Sequence, residues 1–262
     1  MKIGVMVESF AVPFRQGVEK ASKLGLSGIQ AYATGGELAF EGMTPDKIRE
    51  TLDIVKSHGL VFSAICGDFG HGFADEAKNP ELVEKSKRVV DLALKLETGI
   101  VTTHIGEVPA QECHTRDVMR KACRELAVYA DSVGAAFAVE TGPETGAVLY
   151  EFLDSLGAMG VRVNLDPANL IMCVNDDPVK AVHTLKKYIV HTHAKDGVQR
   201  RADPLECEEL PLGQGGVKWD AYLKALKGIG FDGFLTIERE CGSNPEADIV
   251  MAAQFLREQL KQ

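Results

Sequence analysis

Eight short β-prone runs alternate with eight helical segments along 262 residues, and that alternation leaves few folds open. A repeated strand–helix–strand order implies a parallel sheet, because parallel neighbours need a crossover and a helix supplies it. The strand runs are Lys2–Val7, Ser27–Tyr32, Leu60–Ile65, Gly99–His104, Ala136–Glu140, Val161–Asp166, Tyr188–His193 and Gly233–Glu238. Between them helices are expected over Pro13–Leu24, Thr44–His58, Asn79–Glu97, Thr115–Val133, Glu144–Leu156, Asp177–Lys187 and Trp219–Leu226, and Pro245–Leu260 closes the chain. Thr44-Pro45, Asn79-Pro80 and Asp177-Pro178 each place a polar cap before a first-turn proline. Gly25, Gly59 and Gly134 follow helix ends, where a left-handed residue terminates the turn.

Eight such units suit an α/β chain closed as a (β/α)₈ TIM barrel, and no linker or low-complexity segment divides residues 1–262, so a single domain is expected. The rival is a doubly wound open sheet. It would carry a glycine-rich phosphate loop after strand one, and GVMVESFAVP has no G-x-G-x-x-G. The barrel has a functional consequence, since its active site lies at the C-terminal ends of the strands.

Four consecutive strands end in residues able to bind a cation. AFAVE closes on Glu140, VRVNLD on Asp166, YIVHTH on His193 and FLTIE on Glu238. Strand periodicity sets Ala136, Ala138 and Glu140 on one face and Phe137 and Val139 on the other. The same alternation separates Asn164 and Asp166 from Val163 and Leu165, and Thr236 and Glu238 from Leu235 and Ile237. His191 and His193 share a face, with His191 the deeper and so a supporting residue rather than a ligand.

Charge excludes one class of partner. A formal charge of −9 and a pI near 5.3 oppose a nucleic-acid surface, which needs a positive field. No apolar run approaches the roughly 18 residues of a membrane span. The N-terminal apolar run is interrupted by Glu8 and reads as a first strand. Six cysteines without a C-x-x-C pair read as free thiols of a cytoplasmic enzyme. A homo-oligomer is compatible with all of this.

With these strand ends, the chain resembles the xylose-isomerase-like TIM-barrel superfamily, which contains sugar isomerases and epimerases, keto-inositol dehydratase, hydroxypyruvate isomerase and endonuclease IV. The resemblance spans essentially the whole chain. Its sharpest pieces are VETGP, NLDPAN, HTHAKD and LGQGGVKWDAYLKALKGIGFDGFLTIERE. Within the group the likeness is greatest to ketose 3-epimerases. It implies that Glu140, Asp166, His193 and Glu238 ligate one divalent cation. The chain departs from those epimerases at Asn169, where they carry histidine, and at Gln199, where they carry arginine with Arg200 here beside it; Glu144 is only a candidate for their second glutamate.

Three carboxylates and an imidazole favour Mn²⁺ or Mg²⁺, with Co²⁺ or Zn²⁺ as alternatives. The expected reaction is isomerisation or epimerisation of a ketose or ketose phosphate through a metal-stabilised enediolate, with Glu140 and Glu238 as the acid/base pair. A keto-inositol or keto-sugar dehydratase uses the same chemistry and is the alternative. A hydroxypyruvate isomerase, a DNA-repair endonuclease and a sugar-binding protein without activity fit less well. Substrate contacts are expected from His104, Asn169, Lys195, His71 in the glycine-rich loop, and Arg200 or Arg201 in the long loop Ala194–Gly216. Lys195 and Asp196 are expected to orient the end of strand seven. Trp219 walls the pocket or joins the core. His58, His114 and His183 read as helix-surface residues.

Overall fold

The computed structural model describes residues 1–261. Eight parallel strands close a barrel: β1 (Lys2–Met6), β2 (Gly28–Tyr32), β3 (Val61–Cys66), β4 (Ile100–Thr103), β5 (Ala136–Glu140), β6 (Val161–Leu165), β7 (Ile189–Ala194) and β10 (Phe234–Ile237). Their order is sequential, and β1 pairs with β10 to complete the ring. Helices α1 (Phe14–Lys23), α2 (Pro45–Ser57), α3 (Asn79–Lys95), α4 (His114–Val133), α5 (Gly146–Asp154), α7 (Pro178–Leu185), α8 (Trp219–Gly228) and α9 (Pro245–Leu260) surround it.

The expected caps hold at two of three places. Thr44 Oγ1 accepts from Lys47 N at 3.3 Å, and Asp177 Oδ1 accepts from Val179 N at 2.8 Å. Asn79 does not cap α3; its side chain is buried and donates to Phe73 O at 3.0 Å.

Two elements were not anticipated. A short helix, α6 (Pro167–Val174), follows β6 directly. The segment expected as a loop over 194–216 instead contains an antiparallel hairpin of β8 (Asp196–Arg201) and β9 (Glu206–Leu210). The hairpin is anchored by Asp196, which is buried and meets no cation. Its Oδ1 accepts from Gly197 N at 2.9 Å and Val217 N at 3.1 Å, and its Oδ2 from Gly213 N and Trp219 Nε1, both at 2.9 Å. A side chain at Gly215 would strike this carboxylate, so only glycine lets the loop close around it. Trp219 is therefore core, packed edge-on against Tyr222 and Phe255.

The apolar core lies between barrel and helices. Phe137, Val139, Val163, Leu165, Leu235 and Ile237 are all buried there, as the strand alternation requires. The barrel interior is filled differently, by a layer of buried polar side chains. Gln30 donates to Thr102 Oγ1 at 2.9 Å, Ser63 meets Thr236 at 3.3 Å, and His191 bridges Asn164 and Thr236. Two register shifts serve this layer, one between β2 and β3 at Ile29/Gln30 and one between β6 and β7 at Val163/Asn164. The second pairs Asn164 with His191, which turns both histidines of β7 inward.

Candidate functional site

Glu140, Asp166, His193 and Glu238 converge at the C-terminal rim of the barrel. One ligand atom from each lies within 4.8 Å of the others, and all four residues are buried. Nδ1 of His193 is 3.2 Å from Glu238 Oε2, 3.4 Å from Glu140 Oε1 and 3.6 Å from Asp166 Oδ2. Asp166 is held by its own helix: its Oδ1 caps α6, accepting from Ala168 N at 2.8 Å and Asn169 N at 2.9 Å. Its Oδ2 is buried, faces the cluster and has no hydrogen-bond partner.

Three carboxylates buried around one imidazole need positive charge. Burial alone would lower the pKa of His193; Glu238 and Glu140 outweigh it and hold the pKa well above the usual value. Burial likewise works to raise the pKa of Glu238, but His193 and Lys195 outweigh it and leave the group far below the usual range. His191 is kept neutral, by burial first and by the charge on His193 second. The orphaned Asp166 oxygen, the buried carboxylates and the Nδ1 edge of His193 together fit a hard divalent cation, which would displace the proton from that nitrogen.

Neighbouring groups fix these four. His193 Nε2 lies 3.2 Å from Gln30 Oε1, across the barrel on β2. Asn169 Nδ2 donates to Glu140 Oε1 at 2.9 Å. Lys195 is buried and donates to Glu238 Oε2 at 3.1 Å and to Glu240, with Glu209 Oε2 at 3.7 Å. Asp68 Oδ2 accepts from His104 Nδ1 at 2.7 Å, and this bond raises the His104 pKa to about 9. The other edge of His104 is 3.7 Å from Glu140 Oε1. A cavity of about 410 Å³ opens over the cluster, with His104, Asn169, Lys195, Tyr32, Cys66 and Cys173 among its walls.

Three expected substrate contacts are not brought here. Arg200 and Arg201 do not reach over the site. The hairpin turns both outward, where Arg200 Nε donates to Glu208 Oε2 at 2.9 Å and Arg201 lies 3.3 Å from Glu206 Oε2. Cross-strand pairing with acids on β9 captures them. His71 is exposed in its loop and does not line the cavity. Glu144 is buried beside the site rather than in its wall, accepting from Val108 N at 3.1 Å. His114 and His183 are exposed and His58 half-buried. Gln30, Asp68 and Glu240 were missed. The one signal for Gln30 was a polar residue inside the otherwise apolar run GIQAY of a central strand.

Comparisons with known proteins agree with this architecture. The family described as xylose isomerase-like TIM barrel matches residues 18–259. A xylose isomerase domain protein from Planctomyces limnophilus superposes with a TM-score of 0.87 at 24% identity, covering 99% of this chain and 96% of that one. A probable 3-DHS dehydratase from Bacillus anthracis gives 0.81 at 21% identity, covering 98% and 99%. A D-tagatose 3-epimerase-like protein gives 0.81 at 20% identity, covering 100% and 97%. At these identities the shared property is the fold. None of the described helices is long and apolar enough to cross a membrane. The chain belongs to the xylose isomerase-like TIM-barrel family.

Proposed function

We propose that this member of the xylose isomerase-like TIM-barrel family is a divalent-metal-dependent isomerase or epimerase of a ketose. One observation carries the reading: Glu140 and Glu238 both belong to the buried four-residue cluster yet stand on strands three places apart in the ring. Two carboxylates so placed address opposite faces of a sugar held between them. The cavity of about 410 Å³ is within the range of small-molecule sites.

Glu140, Asp166, His193 and Glu238 would hold the cation, and their hard oxygen donors favour Mn²⁺ or Mg²⁺. Bound there, the cation supplies Lewis acidity that polarises the sugar carbonyl and acidifies the neighbouring C–H. The protein's groups then move the proton. One glutamate takes the α-proton at a carboxylate oxygen, and the other delivers a proton to the opposite face. Isomerisation of a ketose to an aldose needs only one of them. Asn169 fixes the orientation of Glu140 by its hydrogen bond to Oε1, and Lys195 fixes Glu238. The deep neutral His191 serves Asn164, whose amide nitrogen lies 3.4 Å from Glu140 Oε2.

Lys195 favours a second reading. Its ammonium lies in the cavity wall beside Glu238 and could protonate a departing hydroxyl, as a keto-sugar dehydratase requires. Product analysis separates the two. The Mn²⁺-loaded protein is incubated with a series of ketoses, followed by sugar chromatography and an assay for dehydrated ketone. An epimer or aldose supports the first reading. A dehydrated product supports the second, and no product from any ketose contradicts both.

A further inference from the structure

The charges around the site bear on what kind of sugar it accepts. Four acids line the cavity over the cluster: Asp68, Glu140, Glu238 and Glu240. Its three bases are all engaged, His193 by the carboxylates of Glu140, Asp166 and Glu238. Lys195 is shared by Glu238, Glu240 and Glu209, and His104 lies between Asp68 and Glu140. The nearby Arg239 is consumed as well, with Nη1 2.6 Å from Glu209 Oε1 and Nε 2.8 Å from Asp248 Oδ2. Arg200 and Arg201 are paired on the hairpin.

Helix N-termini are the other common anion receptors, and the two that follow β5 and β6 are already taken. Asp166 caps α6 with its own carboxylate. Gly146 N, at the start of α5, donates to Asp176 Oδ2 at 2.8 Å. A second cavity of about 430 Å³ shares Tyr32 with the first. Val7, Val12, Phe14 and Leu38 form its apolar walls, and its charged residues are Glu8 and Glu37, with no base among its lining residues. Glu8 Oε1 accepts from Tyr32 N at 3.0 Å and Glu37 Oε1 from Phe14 N at 2.8 Å, which leaves each carboxylate a second oxygen for a hydroxyl donor.

We propose that the substrate is an uncharged ketose, free of phosphate and carboxylate, whose end remote from the four-residue cluster enters the second cavity beside Tyr32. This rests on the isomerase or epimerase reading. A phosphate would find the bases lining the cavity, and the N-termini of α5 and α6 beside it, already committed to carboxylates. Even with a bound dication, and with Lys195 and His104 both counted as charged, the acids of the two cavities stay in excess. Hydroxyl groups suit such walls, because a carboxylate accepts from them and Phe14 offers an apolar surface to the carbon skeleton.

The test compares matched pairs on the Mg²⁺-loaded protein: D-fructose with D-fructose 6-phosphate, and D-xylulose with D-xylulose 5-phosphate. Calorimetry gives binding, and exchange of the α-proton with D₂O gives turnover. The free sugar of at least one pair is expected to bind about 10²-fold or more tightly than its phosphate at low salt, as Coulomb repulsion from one or two excess charges dictates. Added salt narrows that gap by screening, and so does Glu8→Lys. Equal or tighter binding of the phosphates overturns the proposal, as does failure of both classes to bind. A gap unmoved by salt and by Glu8→Lys assigns the preference to shape and overturns the charge argument. Free sugars that bind without exchange leave the charge preference standing and sink the isomerase reading. Phosphates that exchange faster than free sugars do the reverse.

Discussion

Removing the Gln30 side-chain amide with Gln30→Leu should weaken metal binding without unfolding the protein. His193 turns Nδ1 toward the three carboxylates, so Nε2 must carry the hydrogen and needs an acceptor when a cation is bound. Gln30 Oε1, fully buried and 3.2 Å away, is that acceptor, and Gln30 Nε2 is anchored on Thr102 Oγ1 at 2.9 Å. Leucine is close in volume but leaves the imidazole N–H and the threonine hydroxyl without this partner. An unsatisfied buried donor costs about 1–3 kcal/mol. Loss of a partner behind a metal-binding histidine typically lowers affinity by roughly 10–100-fold. Calorimetric titration of the metal-free variant with Mn²⁺ reads that loss directly, and thermal unfolding without metal checks the fold. Gln30→Glu keeps an acceptor and should retain more of the affinity than Gln30→Leu. If Gln30→Leu binds Mn²⁺ like the parent protein, Gln30 does not orient His193.

Three further outcomes follow from the same contacts. Burial raises the Glu144 pKa from 4.5 to about 7, so the folded state holds a proton that the unfolded chain releases between those values. Stability from this group therefore falls as pH rises from 4.5 to 7, by about 3 kcal/mol in all; Glu144→Gln should be the more stable protein at pH 8, with the advantage gone near pH 4.5, and a pH-independent difference in melting temperature would refute the assignment. Asp196→Ala strips four N–H donors of their acceptor and should cost about 3 kcal/mol or more, lowering Tm by roughly 6–12 °C; a shift under 2 °C in a calorimetric scan would contradict the anchoring role. Glu140→Gln and Glu238→Gln keep a ligating oxygen but lose the base, so each should bind metal at reduced affinity and lower kcat by about 10²-fold or more; parent-like turnover in either removes it from proton transfer.

What the sequence disclosed follows from periodicity. Strand alternation alone separates Glu140 from Val139 and Asp166 from Leu165, and the barrel carries all four strand-end residues to one rim. Helix α6 escaped because Asp166 serves two purposes: DPAN reads as a turn after a strand, whereas its carboxylate both caps a helix and faces the cluster. The hairpin escaped because β8 and β9, DGVQRR and ECEEL, are polar on both faces and carry no two-residue apolar period. Nearness in sequence to His193 pointed to Arg200 and Arg201, yet the strand pairing turned them to solvent. Gln30 meets His193 across 163 residues of chain, a contact that only closure of the barrel creates.

In the proposed function Glu140, Asp166, His193 and Glu238 hold a cation in order to labilise a proton next to a ketose carbonyl. ¹H NMR of a ketose in D₂O with the Mg²⁺-loaded protein tests it most directly. The α-C–H signal should be lost steadily, a loss abolished by a chelator and restored by adding Mg²⁺ back. A protein that binds both the cation and the sugar yet leaves that signal intact would contradict it.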